Sequence, residues 1–387
     1  MKRSALFLGA LLIAGCGSSP ADTAPSSTSP AVNTSVVYST SVVGTIDSPV
    51  DLVERTPTDP WFYVVSQTGI IQKWSRDGTD QKTVLDVSSS TSVGGERGLL
   101  GLAFRNVENE WHAILNRTNQ DGHTEITITR LNADGTFASA QSPGELVIRI
   151  DQPYQNHNGG AVLVGPDNMI YIGMGDGGSA NDPERRSQDM GSLLGKILRI
   201  DPQLSGGYRI PPGNPFPDSE HPEIWSLGVR NPWRMTFDPH GGLWVADVGQ
   251  NTWEEVNALP ATDDYPGGRG ANLGWSAFEG AHEFNNDVTA SDAIVPVFEY
   301  DHSNNRCSIS GAAVGNNTTT PGRAGWFYFG DYCSGTVSAI LTDGTTTIGE
   351  EVVARDMGNI TAVRTTESAM YILSANGNVR ELVVSRS

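Results

Sequence analysis

Apolar and polar positions alternate with a period of two along most of this chain, the pattern of strands with one buried face rather than of helices. From about residue 40 the alternation is organised into a repeating unit: an aromatic-rich apolar strand, a glycine-bearing turn, then a second alternating strand. The unit occurs at Trp61–Gly69 with Ile70–Trp74, at Trp111–Leu115 with Glu125–Leu131, and at Met169–Gly173 with Lys196–Ile200. It returns at Leu243–Asp247 with Glu255–Asn257, at Trp326–Gly330 with Thr336–Ile340, and at Met370–Ser374 with Asn378–Leu382. Six units at a spacing of roughly 45 to 85 residues suit four-stranded propeller blades with loop insertions. The pattern predicts an all-β fold, a six-bladed β-propeller over residues 39–387. Asp77-Gly78, Asp134-Gly135 and Asp343-Gly344 supply hairpin-turn chemistry at recurrent places. A β-sandwich or β-helix is the alternative, disfavoured because sandwiches seldom repeat an aromatic strand six times. Helix is expected only in insertions, for example near Pro183–Leu194.

Composition agrees. The 387 residues include 44 Gly and 22 Pro with only 18% charged residues, which suits many short strands and tight turns. The formal net charge of −19 disfavours nucleic acid, whose phosphates such a surface repels. Calcium is the more natural companion of an acidic, oxygen-rich chain, although most of these carboxylates are read as solubilising.

The N-terminus carries its own message. Met1-Lys2-Arg3 is a short basic region and Ala5–Ala14 an apolar run of signal-peptide length, too short to span a bilayer. It ends Ile13-Ala14-Gly15-Cys16, which resembles the bacterial lipobox, with Cys16 as the lipidated residue; an ordinary signal peptide with a chance Cys is the alternative. The expectation is a lipoprotein signal peptide over 1–15 and a tether over 16–38, rich in Ser, Thr and Pro with little to bury. The chain would then be exported and attached to the cell envelope by its lipid anchor alone. Cys307 and Cys333 remain, best read as one disulfide in an oxidising compartment, with a metal pair as the minor alternative.

Three stretches are too irregular for strand: Gly94–Phe104; Tyr154–Gly160 continuing at Gly173–Gly178; and Leu227–Trp233 continuing at Asp247–Gln250. His157 stands just ahead of Gly159 and Gly160, so backbone approaches something closely there. An imidazole can take a proton near neutral pH, and Asp176 is the obvious carboxylate to orient it. Taken singly, His157 is more often a turn residue and Arg230-Asn231-Pro232 more often a structural turn.

Together they resemble the glucose/sorbosone dehydrogenase family. The resemblance rests on His157-Asn-Gly-Gly, then Gly-Asp176-Gly-Gly, then Gly-Lys196-Ile-Leu-Arg-Ile-Asp201, then Gly-Val-Arg230-Asn231-Pro232, in that order, with Asn272-Leu-Gly274-Trp275 as a further block. It implies a six-bladed propeller using pyrroloquinoline quinone (PQQ), often with calcium, to oxidise an aldose-type sugar at its anomeric hydroxyl. It further implies that His157 is the general base, Asp176 its orienting partner, and Arg230 the cation beside the quinone oxygens. Asn231 would hydrogen-bond the cofactor, and Glu96 would lie against it. The backbone carbonyls of Gly249 and Gln250 would ligate calcium. The electrons would pass to a quinone or cytochrome acceptor. For the basic cluster that neutralises the quinone's carboxylates the chain offers only Arg355, Arg364 and Arg323. The segments around Cys307 and Cys333 resemble instead the hedgehog-interacting-protein-like branch, which shares the fold and the Cys pair. The rival reading is therefore a non-catalytic cell-surface propeller that binds a protein or glycan.

Overall fold

The computed structural model of the chain describes residues 35–386, so the signal peptide expected over 1–15, Cys16 and nearly all of the expected tether lie outside the described residues. Strand alternation produces what it predicts: six antiparallel sheets arranged as propeller blades, with 3-10 helix, among the described residues, only at Ser88–Ser90. The innermost strands of blades 1 to 6 are Pro49–Glu54, Leu99–Val107, Val162–Val164, Pro232–Phe237, Ile309–Val314 and Ile360–Thr365. The aromatic strands of the repeat are the second strands of the blades, and their alternating partners are the third.

Blade 6 is completed by the first strand of the described chain, Val36–Thr45, which pairs with Asn378–Arg386 from Val36 opposite Arg386 to Thr45 opposite Asn378. It starts three residues ahead of the expected boundary at 39. This pairing ties the two ends of the ring together and leaves no open gap in the circle of blades.

The core lies between blades. Each of six apolar clusters draws its residues from two neighbouring blades. Aromatic side chains of the second strands fill these layers: Tyr63 meets Phe104 at 4.6 Å, Phe62 meets Tyr371 at 4.9 Å, and Trp244 stacks on Phe327 at 4.9 Å. Such rings bury large areas in defined geometry, which explains why the repeat asks for an aromatic at the same place each time.

The insertion at Pro183–Leu194 is not helical. It is a run of turns whose backbone groups are taken by side chains. Asp182 accepts from the Arg186 and Ser187 N–H groups, and Lys196 Nζ donates to the Arg186, Ser187 and Leu194 carbonyls at 2.7, 3.2 and 2.9 Å. The Arg186 and Ser187 carbonyls also accept the Asp189 and Gly228 N–H groups, at 3.2 and 3.0 Å, so the stretch closes as turns. Burial pulls the Lys196 ammonium down to about 7, against Asp189 and Asp182, which favour its charge. Cys307 and Cys333 form a disulfide, their Cα atoms 5.6 Å apart, which joins the segment entering blade 5 to the turn after its second strand.

Candidate active site

The inner strands of a propeller run in the same direction, so the loops that precede them share one face. Glu96 precedes the inner strand of blade 2, His157 that of blade 3, and Arg230-Asn231 that of blade 4. The second strands run back to the same face and deliver Asp176 and Asp247 there. The topology alone collects the residues expected from sequence on one side of the ring.

The glycines after His157 serve close packing. His157 itself has φ +55°, and a Cβ on Gly159 would come within 2.3 Å of the Gly173 carbonyl oxygen. A Cβ on Gly175 would strike the His157 carbonyl at 2.0 Å. The two loops are pressed together, and His157 Nδ1 reaches Asp176 Oδ1 at 2.6 Å. Asp176 is fully buried and fully engaged: Oδ1 also accepts from the Gly178 N–H, and Oδ2 accepts from Trp275 Nε1 at 2.8 Å. A carboxylate on Nδ1 keeps the proton there and leaves Nε2 as the basic nitrogen. No described residue hydrogen-bonds that Nε2.

Glu96 binds the site rather than standing apart from it. One of its oxygens, Oε2, accepts from the His157 N–H at 2.8 Å and from Asn231 Nδ2 at 2.9 Å. Asn231 Oδ1 in turn accepts from the Gly159 N–H at 3.0 Å. These three contacts hold the histidine loop to blade 4.

Arg230 lies over Trp275, 5.5 Å from its ring centroid, and donates to Gln250 Oε1 and to the Val248 carbonyl. Trp275 therefore touches both halves of the site, its N–H on Asp176 and its face under the guanidinium. Asp247 fixes the backbone from below: its two oxygens accept the Arg230 and Asn231 N–H groups at 2.9 and 2.6 Å. Burial pushes the Asp247 carboxyl up to about 7, with the neighbouring Asp176 acting in the same direction and Arg230 opposing it. Glu255, buried beside Asp247, is likewise raised by burial and then by that neighbour's charge. The sequence pattern does not disclose the roles of Trp275 and Asp247. Their only signals are an Asn-x-Gly-Trp turn and an Asp ending an apolar strand, neither of which shows its partner.

For a metal, the described residues contain no group of three or more His, Cys, Asp or Glu side chains placed to hold one. The Gly249 and Gln250 carbonyls nonetheless suit a calcium ion. No described group donates a hydrogen bond to either, while the N–H groups of residues 250–253 all point at Glu279 Oε1, and the Gly249 N–H at Glu254. Oxygen ligands left without donors are what a hard cation takes. The three arginines offered as candidates for a basic cluster are paired or placed separately. Arg323 is paired with Glu351, Arg355 lines a cleft beside Phe298 and Glu350, and Arg364 is buried against Asp51. Blades 5 and 6 cannot bring these three to His157, because each points elsewhere. Arg230 is the cation linked to Asp176 through Trp275.

Residues 47–383 match the family model described as Glucose / Sorbosone dehydrogenase. The chain belongs to this family. Among curated relatives of this glucose/sorbosone dehydrogenase family member, the HIPL1 protein of Arabidopsis thaliana is 35% identical over 250 residues, covering 56% of this chain and 35% of that one. Quinoprotein glucose dehydrogenase B of Acinetobacter calcoaceticus is 26% identical over 232 residues, covering 54% of this chain and 46% of that one. The matched stretch thus spans between about a third and a half of these relatives. The fold matches the PQQ-bound aldose sugar dehydrogenase from Streptomyces coelicolor with a TM-score of 0.70 at 24% identity, over 90% of this chain and 98% of that one.

Proposed function

We propose that the protein is a quinone-dependent dehydrogenase that oxidises an aldose-type sugar at its anomeric hydroxyl outside the cytoplasm. One observation carries this reading: a single connected chain runs from His157 through Asp176 and Trp275 to Arg230, with the histidine's Nε2 left open. A base and a cation held this way suit removal of a proton and a hydride from one carbinol.

In this reading His157 Nε2 accepts the hydroxyl proton, and Asp176 stabilises the imidazolium that forms. Trp275 keeps Asp176 turned toward the ring. Glu96 and Asn231 keep the His157 loop at its distance from blade 4. Arg230, Asn231 and the edge of Glu96 would hold PQQ, and the Gly249 and Gln250 carbonyls would hold calcium; once bound, the quinone supplies the hydride acceptor. The Arg230 guanidinium places positive charge where negative charge develops on reduction. A quinone or cytochrome takes the electrons onward.

The test adds PQQ and calcium to the purified protein and follows dye reduction with a panel of aldoses. We expect turnover with at least one sugar, and a loss of about 10²–10⁴-fold in His157→Ala, the range for a positioned base. Folded, calcium-loaded protein that reduces no dye with any sugar removes the dehydrogenase reading.

The scattering of Arg323, Arg355 and Arg364, together with the likeness to the HIPL1 protein, favours a second reading, a non-catalytic surface propeller that binds a protein or glycan. That outcome leaves the fold and the disulfide untouched. Both readings include export with lipid attachment at Cys16, motivated by the lipobox-like run before it. Cys16→Ser should move the protein from the membrane fraction to the soluble one, and unchanged fractionation would remove the anchor.

A further inference from the structure

The six inner strands end on the face opposite His157, and there they enclose an axial funnel of about 710 Å³. Every blade contributes to its wall, which mixes apolar residues such as Phe104, Val164, Phe237 and Val314 with polar ones such as Thr236, Asn316 and Thr366. The size falls within the range of small-molecule sites.

The funnel does not end in an apolar floor. Arg364 lines it while being only 7% exposed. Its Nε donates to Asp51 Oδ1 at 2.7 Å and its Nη1 to the Met235 carbonyl at 3.1 Å, which leaves Nη2 without a hydrogen-bond partner among the described residues. Asp51 offsets one positive charge, but Arg234 lies on the same axis, fully buried, so two guanidiniums face one carboxylate. At the floor itself two guanidiniums meet one carboxylate, while Glu54, Asp238 and Glu367 line the funnel nearer its mouth. Arg364 thus offers the funnel an N–H donor, Nη2, that no described residue uses.

The acidic residues of the mouth do not reverse this. Glu54 is paired with Arg76 and accepts the Glu367 N–H, and Asp238 accepts from His240, Gly242 and Trp244. Glu367 is exposed, where water and salt screen its charge.

We propose that this funnel binds a small organic carboxylate with an apolar body, the carboxylate on Arg364 Nη2 and the body against Phe104, Val164, Phe237 and Val314. The site is separate from the one around His157 and stands whether or not that site is a dehydrogenase. Charge-assisted contact to the mostly buried guanidinium selects the anion, and the apolar part of the wall selects its tail.

The test is calorimetric titration of the full chain with octanoate, and with octanol as the uncharged control. We expect octanoate to bind, and octanol to bind at least about tenfold more weakly. Thr236→Trp, a partly exposed wall residue two positions beyond Arg234 on the same strand, should abolish octanoate binding without unfolding the protein. Arg364→Gln should erase the preference for octanoate over octanol; if this variant does not fold, the ligand pair and Thr236→Trp decide alone. No octanoate binding, equal binding of both ligands, or undiminished binding to folded Thr236→Trp overturns the proposal.

Discussion

Asp176→Asn is expected to lower the turnover of the quinone-loaded protein by about 10³–10⁴-fold, the size seen when an orienting carboxylate beside a catalytic histidine is made neutral. The reason is geometric as well as electrostatic. Asp176 uses both oxygens as acceptors, Oδ1 for His157 Nδ1 and the Gly178 N–H, Oδ2 for Trp275 Nε1. Asparagine has one acceptor and one donor. With its oxygen toward His157, its NH₂ faces the Trp275 N–H, donor against donor. With the amide flipped, the NH₂ faces Nδ1 and forces the proton onto Nε2, where the substrate needs a base. Either way the negative charge that stabilises the imidazolium is lost. The loss should fall on kcat and kcat/KM together, with KM little changed, because the interaction matters only as the proton moves. Steady-state kinetics alongside a thermal melt check this; a folded Asp176→Asn protein that keeps more than a tenth of the activity would mean that His157 is not the base.

Much of this architecture is legible in the amino-acid sequence. The aromatic strand recurring six times marks the blades, because the second strand of each fills an inter-blade layer. The order of His157, Asp176 and Arg230-Asn231 marks the site, because loops preceding inner strands must share a face. What stays hidden depends on closure of the ring. Arg364 reads as a possible cofactor ligand in the sequence, yet its strand carries it to the axis, where Asp51 takes it. The Pro183–Leu194 stretch reads as a helix candidate, yet it folds as turns whose Arg186, Ser187 and Leu194 carbonyls converge on Lys196 Nζ. Nothing in the sequence marks Arg234; its environment comes from blades 1 and 2, which are remote in sequence.

Arg234 is the residue whose loss should cost most in stability. At the start of the inner strands of blades 1, 2, 4 and 6 the pairing slips by a residue, at Val50, Leu100, Trp233 and Thr361. A bulged residue drops out of the ladder. Arg234 serves three of the four: Nη2 donates to the Val50 and Leu100 carbonyls, Nη1 to that of Trp233, and the Trp233 indole N–H takes the fourth, the Thr361 carbonyl. The guanidinium also lies 4.7 Å from the Trp233 ring centroid. It is fully buried, and burial pulls its pKa down to about 10 against the favourable pull of Asp51. Two effects compete in Arg234→Met. Removing a buried charge recovers desolvation, and Asp51 stays matched by Arg364, so the ionic part is close to neutral. The three carbonyls, however, belong to the backbone and remain buried without donors, at about 1–3 kcal/mol each. The second effect wins, and we expect a loss of about 3–5 kcal/mol in chemical denaturation, in line with stripping one member from a buried network. Arg234→Lys should recover only part of it, because one ammonium lacks the planar fork that spans blades 1, 2 and 4 at once. An Arg234→Met protein within about 1 kcal/mol of the parent would mean that water satisfies those carbonyls and that the ring of blades closes without its axial cation.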